Sequence, residues 1–132
     1  MCDVRCGLST NLYIYEMDAE DIKKRTKQFA INVGRLTLSL ERNDLNRNYC
    51  NQIIRSSSSV AANYRASRRA KSKADFINKL KIVEEELDES LFFLELLFEF
   101  NQIEKDRIVN LYKEGEELLK IIVATIQSSR NT

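Results

Sequence analysis

No proline occurs anywhere in this chain of 132 residues, and glycine occurs only at Gly7, Gly34 and Gly115. Strand-rich and mixed folds depend on tight turns, and tight turns draw on Gly and Pro for their backbone geometry. A chain this poor in both favours long helices joined by short connections, so the expected fold class is all-α. The length suits one domain with a continuous core and no staples.

Hydrophobic periodicity divides the chain. Residues 1–17 keep no period and are expected to form an irregular N-terminal lead-in, leaving 18–132 as a single four-helix bundle domain. Asp18, with Asp21 three residues on, marks a helix start. Ile22, Thr26, Phe29, Val33, Leu36 and Leu40 follow at steps of three and four. Asn43 and Asp44 close this helix and open the next.

The second helix contains Ser56–Ser59, a run that resembles a flexible linker. The apolar phase nevertheless passes straight through it, by way of Cys50, Ile53, Ser57, Val60, Ala61 and Tyr64. A solvated linker has no reason to keep that phase. The stretch from Ser56 to Ala62 therefore reads as a narrow, small-residue face on a packed helix, with a corner expected near Lys71. Ser72 and Asp75 resemble a capping box for the third helix. That helix carries Phe76, Leu80, Val83, Leu87, Leu91, Leu94 and Phe98 on one face. A break at Asn101 and Gln102 precedes a fourth helix, from about Glu104 to Ser128, in which Gly115 is read as a point of close helix approach. Short connections predict an antiparallel up-down-up-down four-helix bundle.

Two features exceed what a bundle core needs. The segment LFFLELLFEF, residues 91–100, is apolar at eight of ten positions, whereas a core-facing stripe needs only about three in seven. Phe92, Phe93, Leu96 and Phe100 are the surplus, and either the lead-in or a second subunit is expected to cover them. The other feature is charge segregation beneath a net charge of +1. Residues 65–81 hold seven basic residues against Asp75 alone, and residues 84–106 hold nine acids against Lys105. Arg65, Arg68 and Arg69 fall on one helix face, followed by Lys71 and Lys73 in the turn, an arrangement suited to phosphate. The competing reading is structural: cations favourably meet a helix C-terminus, and opposite charges can guide assembly.

Much chemistry is excluded. The chain has no histidine, which removes histidine-based triads and the common helical zinc and di-iron motifs. Isolated glycines exclude the Gly-rich phosphate loops. Glu85 and Glu89 lie one turn apart but read as a solvated acidic face. Cys2 and Cys6 have neither a histidine nor a second pair to complete a metal site. No enzyme activity, metal or cofactor is expected. The amino terminus shows no apolar leader, and the longest apolar run is half a membrane span and carries Glu95 and Glu99. A cytoplasmic protein with reduced thiols, not associated with membrane, is expected.

Around the corner, Gln52, Arg55, Ser59, Val60, Asn63, Arg68, Ser72, Asp75, Phe76, Ile77, Leu80, Ile82, Leu87 and Glu89 match a recurring family pattern without a gap. That pattern is a Gln-and-Arg segment, then Ser-Ile-Pro-x-Asn-Ile-Ala-Glu-Gly, a basic stretch, Ser-x-x-Glu-Phe-Ile, and Leu-x-Ile-Ala-x-Gly-Ser-Leu-x-Glu. The chain resembles the small four-helix bundle proteins also called 23S rRNA intervening-sequence proteins, over roughly residues 19–128. It departs from them where Ala61 replaces the proline, where Arg65, Ala66 and Ser67 replace Ala-Glu-Gly, and where Glu85 and Glu86 replace Gly-Ser. The resemblance implies a ring-like homo-oligomer, typically a pentamer, with no established enzymatic activity and a link to RNA. Two functions are carried forward: binding of RNA or ribosomal components through the basic corner, or an oligomeric protein–protein scaffold without nucleic acid.

Overall fold

The computed structural model describes residues 18–132; the expected lead-in, with Cys2 and Cys6, lies outside them. The described residues form four α-helices: α1 (Ala19–Ser39), α2 (Asp44–Ser67), α3 (Lys73–Phe100) and α4 (Lys105–Arg130), with no strand among them. The packed pairs are α1–α2, α2–α3, α3–α4 and α1–α4, so the ring of neighbours closes on itself.

Three helices begin with side-chain caps. Asp18 accepts from the Asp21 N–H at 2.8 Å, Asn43 from Asn46 at 2.8 Å and Ser72 from Asp75 at 3.1 Å. Each satisfies one of the backbone donors that a helix start leaves open, worth about 1 kcal/mol. The box at α3 is displaced from the usual form. Asp75 reaches back to the N–H of Lys71, one residue before the cap, rather than to that of Ser72.

A single apolar cluster fills the interior. Phe29, Val33 and Leu36 enter it from α1, Ile53 and Val60 from α2, Leu80, Leu87 and Leu94 from α3, and Ile108, Leu118 and Ile122 from α4. Burying each such side chain contributes about 1.5–3 kcal/mol. Gly115 lies where α1, α3 and α4 converge. A Cβ there would come within 2.8 Å of Leu91 Cδ2 and 3.3 Å of the Phe29 ring, so the close approach expected from the sequence is present.

The serine run is packed helix, and Cys50, Ile53, Ser57, Val60 and Tyr64 are buried as the stripe requires; Ser56 joins them, while Ala61 is only partly inward. Ser56 and Ser57 are buried, whereas Ser58 and Ala62 are exposed and Ala61 is half-buried. Ser56 Oγ lies 2.8 Å from Ser90 Oγ across the α2–α3 contact. Each hydroxyl also lies within reach of a carbonyl of its own helix, Ile53 for Ser56 and Glu86 for Ser90. With one hydrogen each, one of the two donates across the contact and the other to its carbonyl. Ser57 donates to the Ile54 carbonyl. The corner contains Lys71 as expected, but α2 stops at Ser67, before Arg68 and Arg69. Arg68, Arg69 and Ala70 bond back to the third residue before them, tightening the chain into a last 3₁₀-like turn, and the Ser67 hydroxyl takes the Tyr64 carbonyl.

Candidate nucleic-acid interface

The basic corner grows out of this tightened turn. Arg65 sits in the last turn of α2, where its charge meets the negative end of the helix dipole. Arg68 is the C-cap, and its guanidinium carbon lies 6.0 Å from the centroid of the Phe76 ring on α3. That contact is at the outer limit of a cation–π interaction, and Arg68 stays exposed. Phe76 is half-buried and packs against the core, as the sequence stripe requires. Arg69, Lys71 and Lys73 are exposed. Arg65 and Arg68 thus remain one turn apart, while Arg69 lies beyond the helix rather than on its face.

Among the described residues, none of these five cations forms an ion pair. Asp75 is the carboxylate within the corner, and it is already engaged. Its Oδ2 accepts the Lys71 N–H at 3.1 Å and its Oδ1 takes Lys79 Nζ at 3.0 Å. The Lys71 N–H first, and then Lys79, hold its carboxyl below the usual carboxylate range. The acids of α3 are also occupied in part. Glu89 and Glu86 bind Arg55 of α2, and Glu95 accepts from the Tyr112 hydroxyl at 3.0 Å. Because Arg55 takes the Glu89 carboxylate, Glu85 and Glu89 do not form a vacant chelating pair.

The structure divides the surplus apolar residues of α3. Phe93 and Leu96 are half-buried, and Phe93 packs against the core, while Phe92 and Phe100 remain 51% and 56% exposed. Tyr49 of α2, which the sequence gave no reason to single out, joins them. Its ring centroid lies 6.1 Å from that of Phe93 and 6.2 Å from that of Phe100, and Phe92 meets Phe93 edge-on at 5.3 Å. The result is a four-ring patch across α2 and α3, well within the range of aromatic pairing. No signal in a single sequence reveals that Tyr49 belongs to it, because its ring partners are more than forty residues away.

Cys50 is a buried free thiol, its pKa pushed up by desolvation. The described residues contain no group of three or more candidate metal ligands. No helix among them is long and apolar enough to cross a membrane.

Among the described residues, four helices around one core define an all-α, four-helix unit, carrying a basic corner at one place and an aromatic patch at another. Residues 19–124 match the family described as 23S rRNA-intervening sequence protein, and the chain belongs to that family. It is also similar to a crystal structure of a protein of unknown function from the S23 ribosomal protein family of Bacteroides thetaiotaomicron VPI-5482. The two are 31% identical, with a TM-score of 0.77, over 84% of this chain and 99% of the other. No curated protein matches the chain.

Proposed function

We propose that this chain is a non-enzymatic, homo-oligomeric protein with an antiparallel up-down-up-down bundle, which binds RNA or ribosomal components through its basic corner. Several cross-helix contacts support the antiparallel course. Along α2 and α3, Asn46 meets Asn101, Ser56 meets Ser90 and Arg68 meets Phe76. Along α3 and α4, Glu95 meets Tyr112 and Phe98 lies under Lys105. In each series one number rises as the other falls.

The observation that carries the RNA reading is that the five corner cations form no ion pair among the described residues, beside an aspartate whose oxygens take the Lys71 backbone N–H and the Lys79 ammonium. Cations in that state release condensed counterions when they meet phosphate and break no internal ion pair. The names of the family and of the similar structure add weight to ribosomal RNA as the ligand class. The test is a salt series of binding titrations with a labelled ribosomal RNA fragment. Replacing Arg65, Arg68 and Arg69 with Gln is expected to flatten the log–log salt dependence by about two units. Absence of wild-type affinity even at low salt overturns the reading in favour of the scaffold.

The aromatic patch supports assembly under either reading. Phe92 and Phe100 leave about half of each ring open to solvent, an apolar surface that a second chain can cover. A second copy of the chain is the occupant we infer, with a pentameric ring as the form the family resemblance implies.

A further inference from the structure

The basic surface does not end at the corner. A groove between α1 and α2 is lined by Lys23, Lys24 and Lys27 on one wall and Arg65 on the other. Its floor is made of small residues, Ala30 from α1 and Ser58, Ala61 and Ala62 from α2. Glu20 is the one acidic residue among the described residues of the lining. Arg65 belongs both to this groove and to the corner, so the two surfaces are continuous.

The cations of this protein are sorted by direction. Arg25, next to Lys24 in sequence, turns towards α4 and is clamped by Glu114 at 2.8 Å and Glu117 at 3.2 Å. Arg55 turns towards α3 and is held by Glu86 and Glu89. Lys23, Lys24, Lys27 and Arg65 turn towards the groove and form no ion pair among the described residues. Small side chains on the floor let a bulky chain settle between the charged walls.

From this arrangement we propose that the α1–α2 groove is a track for the phosphate backbone of RNA, extending the corner along α1. The inference rests on the nucleic-acid reading above and adds a second, separable set of contacts. From Glu20 to Ala30 the groove runs about 15 Å along α1, long enough for several phosphates. Among the described residues no aromatic side chain lines it, so they supply no stacking platform of the kind that base recognition on single strands uses. The groove therefore reads charge and backbone, and it takes oligouridylate and oligoadenylate alike.

The experiment measures binding of labelled oligouridylate to the full chain across a salt series. Lys23→Gln, Lys24→Gln and Lys27→Gln together are expected to reduce the log–log slope by about two units, at a slope of about 0.7 per phosphate on a single strand. Replacement of the same three with Arg is expected to retain the slope, and Lys113→Gln with Lys120→Gln on α4 is expected to leave it unchanged. If the triple variant loses helicity by circular dichroism, the pair Lys24→Gln and Lys27→Gln, both exposed, carries the same test with a smaller loss of slope. A flattened slope in the corner variant with an unchanged slope in the groove variant overturns this inference and leaves the proposed function standing. Failure of the wild type to bind overturns both. An equal loss in the Lys113 and Lys120 variant reduces the effect to net charge and overturns the groove. Polyglutamate binding with RNA-like affinity and salt dependence assigns the groove to an acidic protein segment and also overturns it.

Discussion

Asn46, in the first turn of α2, and Asn101, at the end of α3, exchange two side-chain hydrogen bonds of 2.9 Å, each amide donating to the other's oxygen. The second Asn46 N–H goes to the Glu41 carbonyl and the second Asn101 N–H to Leu97. Both residues are buried, and the pair joins the α1–α2 connection to the far end of α3. Removing one partner strands the other, so Asn46→Ala or Asn101→Ala is expected to cost about 1–3 kcal/mol. The double variant is expected to cost less than the sum, because the second change strands nothing further. A double-mutant cycle in urea measures the coupling, and strict additivity contradicts it.

The two described glycines predict opposite outcomes. A Cβ at Gly34 meets nothing within 4 Å, so Gly34→Ala is expected to stabilise by about 0.5–1 kcal/mol through helix propensity and loss of unfolded-state freedom. At Gly115 the Leu91 and Phe29 side chains already occupy the space. Gly115→Val is expected to destabilise by about 1–3 kcal/mol through overpacking. Thermal melts of the two variants, shifted in opposite directions, are the check.

Asp75 gives the corner an acid sensitivity of defined sign. Its carboxyl is held below the ordinary range, so its contribution is fully present above the unfolded value of about 3.9. That contribution is lost as pH falls through the depressed native value, when the Lys71 N–H and Lys79 lose their anionic partner. Asp75→Asn is expected to reduce the acid dependence of the urea midpoint below about pH 4, without altering the slope at neutral pH. Identical acid profiles for wild type and variant contradict the assignment.

Assembly is tested at the aromatic patch. Phe92→Ser with Phe100→Ser removes the two most exposed rings while sparing Phe93, which supports the core. Light scattering is expected to report several chains per particle for the wild type and fewer for the variant, with unchanged helicity. A wild-type monomer at micromolar concentration removes the second copy as occupant.

The fold was largely legible because its determinants are local. Asp18 and Ser72 each stand three residues before an aspartate and at the start of an apolar period, and both cap their helices as read. Gly115 stood out because a glycine inside an apolar stripe needs a packing reason. The serine face was harder to place: neighbouring serines have the same size and polarity, so the sequence does not decide whether Ser56 or Ala62 turns inward. Contact with Ser90 decides it. Arg68 and Arg69 have ordinary helix propensity, and the early stop of α2 arises from the i→i−3 bonds that turn the chain towards Ser72. Lys23, Lys24 and Lys27 cannot be told from any solvated helix face in the sequence, because their opposite wall comes from residues more than thirty positions away.

The turn from Arg68 to Ser72 also bears on the entropy of any encounter with an anion. Its backbone is fixed from both sides, by the i→i−3 bonds of Arg68, Arg69 and Ala70 and by the carboxylate of Asp75 on the Lys71 N–H. A ligand that engages these cations has only side chains to immobilise, at about 0.5–1.5 kcal/mol each. A disordered basic tail of the same composition must also order its backbone, at about 1–2 kcal/mol per residue. Charge content and charge mobility are therefore separable here. Inserting glycines between Ala70 and Lys71 keeps every cation, yet it is expected to weaken anion binding by raising the freedom that binding must remove.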